Sequence, residues 1–98
     1  MMAVHELKTD PEMYQAVAEG KKAFDIRKAD RSFAVGDILL FRETKYTGIQ
    51  MSWDDIRGSG KPLVYTGRKM EVKVTYTLHG PIYGIQSGYC IMSIEHCA

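Results

Sequence analysis

Gly20-Lys21-Lys22-Ala23-Phe24-Asp25-Ile26-Arg27 joins two elements of different kind and carries three ionic side chains at fixed spacing, G-x-K-x-x-D-x-R. Glycine suits the end of a helix because it turns left-handed without a Cβ clash. The residues after it read as a strand, in which side chains alternate between two faces. Phe24 and Ile26 are then expected on one face, Asp25 and Arg27 on the other. An acid and an arginine beside a lysine-bearing turn make a candidate ligand site. The same pattern also suits a solvated strand face holding an ion pair.

Working towards the N-terminus, Val4 to Lys8 reads as a short first strand. Thr9-Asp10-Pro11-Glu12 is a helix start, with Asp10 as cap before Pro11, or Thr9 as cap with Glu12 closing the box. Met13, Ala16 and Val17 recur at helical spacing up to Gly20. Towards the C-terminus, Ala23–Lys28 is a strand and Gly36-Asp37 a tight turn. The apolar run Ile38-Leu39-Leu40-Phe41 predicts a strand covered on both faces. The segment 44–64 reads as an inserted loop or hairpin, in which Ser52 could cap a helical turn through Trp53 to Ile56. Met70 to Leu78 alternates apolar and polar residues, which predicts one buried and one wet face. His79 to Gly88 is a glycine-rich connection, and Tyr89 to Ile94 a last apolar strand. Short strands with one clear helix predict a mixed α+β, β-rich domain: a small β-barrel or rolled sheet, closed to hide its edges.

The 98 residues suffice for one domain over 1–98. The formal net charge of +1 argues against a protein that coats nucleic acid through bulk charge, though Lys21, Lys22, Arg27, Lys28 and Arg31 cluster locally. No apolar run is long enough to span a bilayer, and Met1 to Asp10 lacks the apolar block of a secretory leader, so a cytoplasmic location is expected. Cys90 and Cys97 form neither a disulfide framework nor a metal pattern, and His5, His79 and His96 are too scattered for zinc. No metal and no cofactor are expected.

Three segments resemble the ASCH group of the PUA-like superfamily: Gly20, Lys22, Asp25 and Arg27; Phe33-x-x-Gly36-Asp37-x-Leu39; and the Met70–Leu78 strand. His5-Glu6-Leu7-Lys8, Phe24 to Lys28, Val35 to Leu39, Tyr65-Thr66-Gly67-Arg68 and Gly88-Tyr89 are similar to a subfamily of small, functionally unassigned phage and bacterial proteins. The resemblance implies a five- or six-stranded barrel with one or two short helices and a cleft suited to RNA or a nucleotide.

On that reading Lys22, Asp25 and Arg27 build the cleft, with His5, Lys8, Tyr65 and Arg68 at its edge. Arginine offers a planar fork to phosphate or a base edge, lysine a compact charge, and the acid an acceptor. Tyr65, Arg68 and Tyr83 could stack on bases, although tyrosines in small barrels also close the core. Trp53 reads best as a plug that pins its loop. Expected partners are RNA or a nucleotide-like ligand, not a membrane, and the expected assembly is a monomer or weak dimer.

Two other readings stand beside this one. Some ASCH proteins resemble amidohydrolases acting on a modified cytidine nucleoside through a lysine beside a threonine nucleophile. Here Lys22 matches the lysine, but Asp25 holds the nucleophile position, and the later insertion that carries an acid shrinks to His79–Gly88. A hydrolase acting on a nucleoside or RNA would use Lys22 as base, with Asp25 beside it. The third reading is a phage accessory protein that sequesters a nucleotide signal or blocks a host protein.

Overall fold

The computed structural model describes residues 2–57 and 60–97, and of 53–57 the backbone alone. Five strands and two helices follow in the order β1 (Val4–Thr9), α1 (Pro11–Ala18), β2 (Phe24–Lys28), β3 (Ile38–Thr44), α2 (Gly48–Arg57), β4 (Tyr65–His79) and β5 (Tyr89–His96). The strands form one sheet in the order β1-β3-β4-β5-β2, curled into a half-barrel. Only β1 and β3 run parallel; the other neighbours are antiparallel.

The sheet is open, which corrects the expectation of closure. β1 and β2, consecutive strands in the chain, are its two edges. α1 and the Gly20 turn therefore carry the chain from one edge to the other. Tyr14 and Val17 of α1 are buried with Leu7, Leu39, Phe41, Val72, Val74, Cys90 and Met92 in one core. The Val17 carbonyl also meets His96 Nε2 at 2.8 Å, which ties the end of α1 to the end of β5. Burial of this apolar set stabilises the domain by roughly 25 cal/mol per Å² removed from water.

Several local expectations change. Asp10 sits before Pro11 at the start of α1, but its carboxylate does not cap that helix. It accepts instead from the Gly48 N–H of α2 at 3.0 Å. Where a loop or hairpin is expected over 44–64, the chain forms the ten-residue α2. Its start is a reciprocal cap: Thr47 Oγ1 accepts from the Gln50 N–H at 3.1 Å, and Gln50 Oε1 from the Thr47 N–H at 2.8 Å. Ser52 is not the cap; its hydroxyl donates back to the Ile49 carbonyl. The side chain of Trp53 lies outside the described residues.

The β3 run is fully covered on one face only. Leu39 and Phe41 are buried, whereas Ile38 and Leu40 are half-buried. The alternation of β4 also breaks. Val72 and Val74 are buried, but the register against β5 shifts between Val74 and Tyr76, and Tyr76 is 66% exposed. One extra residue turns every later side chain to the other face.

Candidate functional site

The site is built where the two sheet edges face each other. Gly20 ends α1 with φ +77°. The turn is closed by the Gly20 N–H on the Val17 carbonyl and by the Lys21 and Lys22 N–H groups on the Ala16 carbonyl. Lys22 then lies at the root of β2, its Nζ over the Phe24 ring at 5.0 Å.

β2 alternates as expected, with its faces reversed in character. The charged pair turns inward and the apolar pair outward: Asp25 is buried, while Phe24 is 42% and Ile26 55% exposed. The solvated ion-pair face expected as the plain alternative is therefore absent. As an edge strand at the open side of the half-barrel, β2 faces a polar gap rather than a closed core.

Lys22, Asp25 and Arg27 meet in that gap. Lys22 Nζ donates to Asp25 Oδ1 at 3.3 Å, and Arg27 Nε donates to Asp25 Oδ2 at 2.6 Å. Their side chains are 14% (Lys22), 6% (Asp25) and 23% (Arg27) exposed. Arg27 also crosses to the opposite edge, donating to the Lys8 carbonyl at 2.8 Å and to Thr9 Oγ1 at 3.3 Å. Its guanidinium lies 5.7 Å from the centre of the core Phe41 ring. A side chain thus bridges the two edges where backbone pairing would close a barrel. A guanidinium carries five N–H donors and an ammonium three, so both cations keep donors for a ligand after these bonds.

Lys8, Thr9, Asp10, Met13, Lys21, Lys22, Phe24, Asp25, Ile26 and Arg27 line a cleft of about 580 Å³. A second hollow of about 620 Å³ shares Lys8, Asp10 and Arg27 and runs on to Gly48, Met51, Ser52, Lys61, Pro62 and Leu63. The combination of apolar walls and a few converging polar groups is that of a small-ligand site. Burial, then the nearby Asp25 charge, pushes the Cys90 thiol up from its ordinary value. Cys90 is fully buried and keeps its proton at neutral pH.

Of the edge residues expected from the sequence, Lys8 joins this cleft and the others lie elsewhere. His5 Nε2 meets Asp37 Oδ2 at 2.8 Å and packs edge-on against Phe33. Asp37 also accepts from the Ala3 and Ala34 N–H groups. Burial pushes the Asp37 carboxyl up, but these three hydrogen bonds and the His5 charge outweigh it and hold the group below its ordinary value. His5 therefore braces the turn before β3. Tyr65 and Arg68 gather with Glu6, Leu40, Arg42, Gly67 and Lys69 around a separate hollow of about 300 Å³. Tyr83 is exposed at the tip of the Ile82–Ile85 turn.

The expected site residues did not include Thr9, Asp10, Met13, Lys21, Phe24 and Ile26, which line the cleft, or Lys61, which lines the second hollow. Lys21 and Phe24 stood in the quoted stretch and could have been included. Lys61 follows α2 and reaches the second hollow only through tertiary folding.

Comparison with known proteins places the chain in a family. The model described as "Domain of unknown function (DUF3850)" matches residues 4–94, and the chain belongs to that family. It is also 35% identical over 75 residues to "Uncharacterized 12.9 kDa protein in GpA 3'region" of Escherichia phage P2. That match covers 76% of this chain and 54% of the phage protein, so the chain spans about half the length of this relative. Among the described residues, no helix is long and apolar enough to cross a membrane.

Proposed function

We propose that the domain binds RNA or a nucleotide-like ligand in the cleft between β1 and β2. The observation that carries this reading is the shared carboxylate of Asp25, which fixes two cations at the wall of an open hollow. Such preorganisation removes part of the ordering cost of binding. Arg27 and Lys22 take phosphate through their remaining donors, while Phe24, Met13 and Ile26 offer an apolar wall to a base. Lys8 and Lys21 add positive charge at the rim.

The open, curled five-strand sheet, with the G-x-K-x-x-D-x-R segment at its edge, supports placing the domain with the ASCH group of the PUA-like superfamily. Recognition fits the geometry better than hydrolysis. Both oxygens of Asp25 are engaged by cations, and Lys22 donates to it, so neither group is poised to take a proton from a substrate.

The test is a thermal-shift screen against nucleosides, nucleotides and short RNAs, followed by titration of any hit into Lys22→Gln. A ligand that raises Tm in the wild type and binds about tenfold more weakly to Lys22→Gln, a loss of about 1.4 kcal/mol, supports the reading. The absence of any stabilising nucleic-acid component rejects it.

A further inference from the structure

We infer that the ligand is a single-stranded nucleic-acid polymer whose backbone leaves the cleft across the outer face of β1, β3 and β4, along a row of cations formed by Lys8, Arg42 and Lys69. This rests on the reading of the cleft as a nucleotide site and extends it from one nucleotide to a chain.

The register sets the row. Lys8 of β1 pairs with Arg42 of β3, and Arg42 with Lys69 of β4, so the three lie side by side on one face. Neighbouring strands are ~4.8 Å apart, which makes the row roughly 10 Å long and perpendicular to the strands. Lys8 and Lys69 are exposed, and Arg42 is half-buried. Like charges directly opposite one another destabilise a sheet. A sequence that keeps three of them in register breaks a local rule, as proteins do where a site is wanted. Glu6 offsets only the middle member, accepting from Arg42 at 2.7 Å. No described acidic side chain lies within ion-pair distance of Lys8 or Lys69.

Two further features favour a nucleic acid over an acidic polypeptide. The Arg42 guanidinium lies 3.6 Å from the centre of the Tyr65 ring, an arrangement that offers planar groups for a base to stack on. Gly67, at φ +94° in the same hollow, would meet nothing within 4 Å if it carried a Cβ, so the approach is open. The row also begins at the cleft. Lys8 lines it, and the Lys8 carbonyl holds Arg27.

The experiment compares wild type with Lys69→Ala and with Lys69→Ala/Arg42→Gln, titrating a labelled single-stranded oligoribonucleotide of mixed sequence and a mononucleotide over a range of salt. Lys69 has no ion-pair partner among the described residues, so the single variant serves if the double variant fails to fold. The expected result is an oligonucleotide affinity that falls at low salt by about tenfold for the double variant. Its salt slope should shrink by about 0.7 per cation removed, with mononucleotide binding unchanged. Unchanged oligonucleotide affinity and slope in the variants overturn the inference and leave the cleft reading standing. Poly-glutamate binding to the wild type as tightly as RNA also overturns it. If the wild type binds neither the oligonucleotide nor the mononucleotide, the cleft reading fails and takes the row with it.

Discussion

Arg27 and Asp25 are two residues apart on an edge strand, yet they meet inside the fold at 2.6 Å from Nε to Oδ2. Asp25 thereby anchors a guanidinium that reaches the opposite edge of the sheet. Removing the carboxylate leaves two largely buried cations without their counter-charge, and Arg27 with only the Lys8 carbonyl and Thr9 Oγ1 as acceptors. Loss of one partner from a buried pair is far more costly than the pair itself is stabilising. Asp25→Ala should lower stability by about 2–4 kcal/mol, read by urea denaturation with the slope unchanged. A change below about 0.5 kcal/mol would show that water replaces the carboxylate at no cost and that the bridge is not structural.

Acid should loosen the turn that leads into β3. Asp37 accepts from His5, Ala3 and Ala34, and its carboxyl is held below the ordinary value. A folded-state value below the unfolded one means that the ionised group stabilises the fold above the unfolded value of about 4. That contribution is lost as pH falls from there through the folded value. Asp37→Asn should therefore lower Tm at pH 7 and converge on the wild type at lower pH. Parallel Tm curves for the two proteins from pH 7 to pH 2 would contradict the assignment.

The two cysteines should behave differently. Cys90 is buried with its thiol pushed up by burial and then by Asp25, whereas Cys97 is exposed. The thiolate is the reactive form. At pH 8 the folded protein should react with a thiol reagent at Cys97 alone, and in denaturant at both positions. Rapid modification of Cys90 in the native state, located by mass spectrometry, would mean that the half-barrel opens near Asp25.

Much of the element order was legible because it rests on local signals. The β1 start, the Pro11 helix, the Gly20 turn, β3 and β5 fall close to where pattern and turn residues place them, whereas β4 starts at Tyr65, ahead of the expected Met70. The α2 segment reads as a loop or hairpin with at most a helical turn after Ser52, because the glycines nearby outweigh the capping signature Thr47-x-x-Gln50. The break in β4 carried no signal. No glycine or proline marks Thr75, and the shift is imposed by pairing with β5. That Asp25 and Arg27 share a face followed from alternation along β2, whereas Lys22 precedes the strand and joins them through the turn after α1. Which face was buried did not follow from alternation, because that depends on β2 being an edge. The separation of Tyr65 and Arg68 from the cleft depends on sheet order, which periodicity does not encode.

Gly20 offers the most direct check on how the signature segment is held. Its φ of +77° is in the left-handed region, and a Cβ there would meet nothing within 4 Å. Gly20→Ala therefore adds backbone strain without a clash, costing about 1–2 kcal/mol. Because the turn aims Lys22 at Asp25, its relaxation should also weaken any ligand held by Lys22. Gly20→Asn, whose side chain tolerates the left-handed region better, should recover part of both losses. The measurements are urea denaturation of the three proteins and titration of whichever nucleotide stabilises the wild type. Equal stability of Gly20→Ala and wild type would mean that the turn takes another conformation. Reduced stability with full ligand affinity would separate the turn from the placement of Lys22.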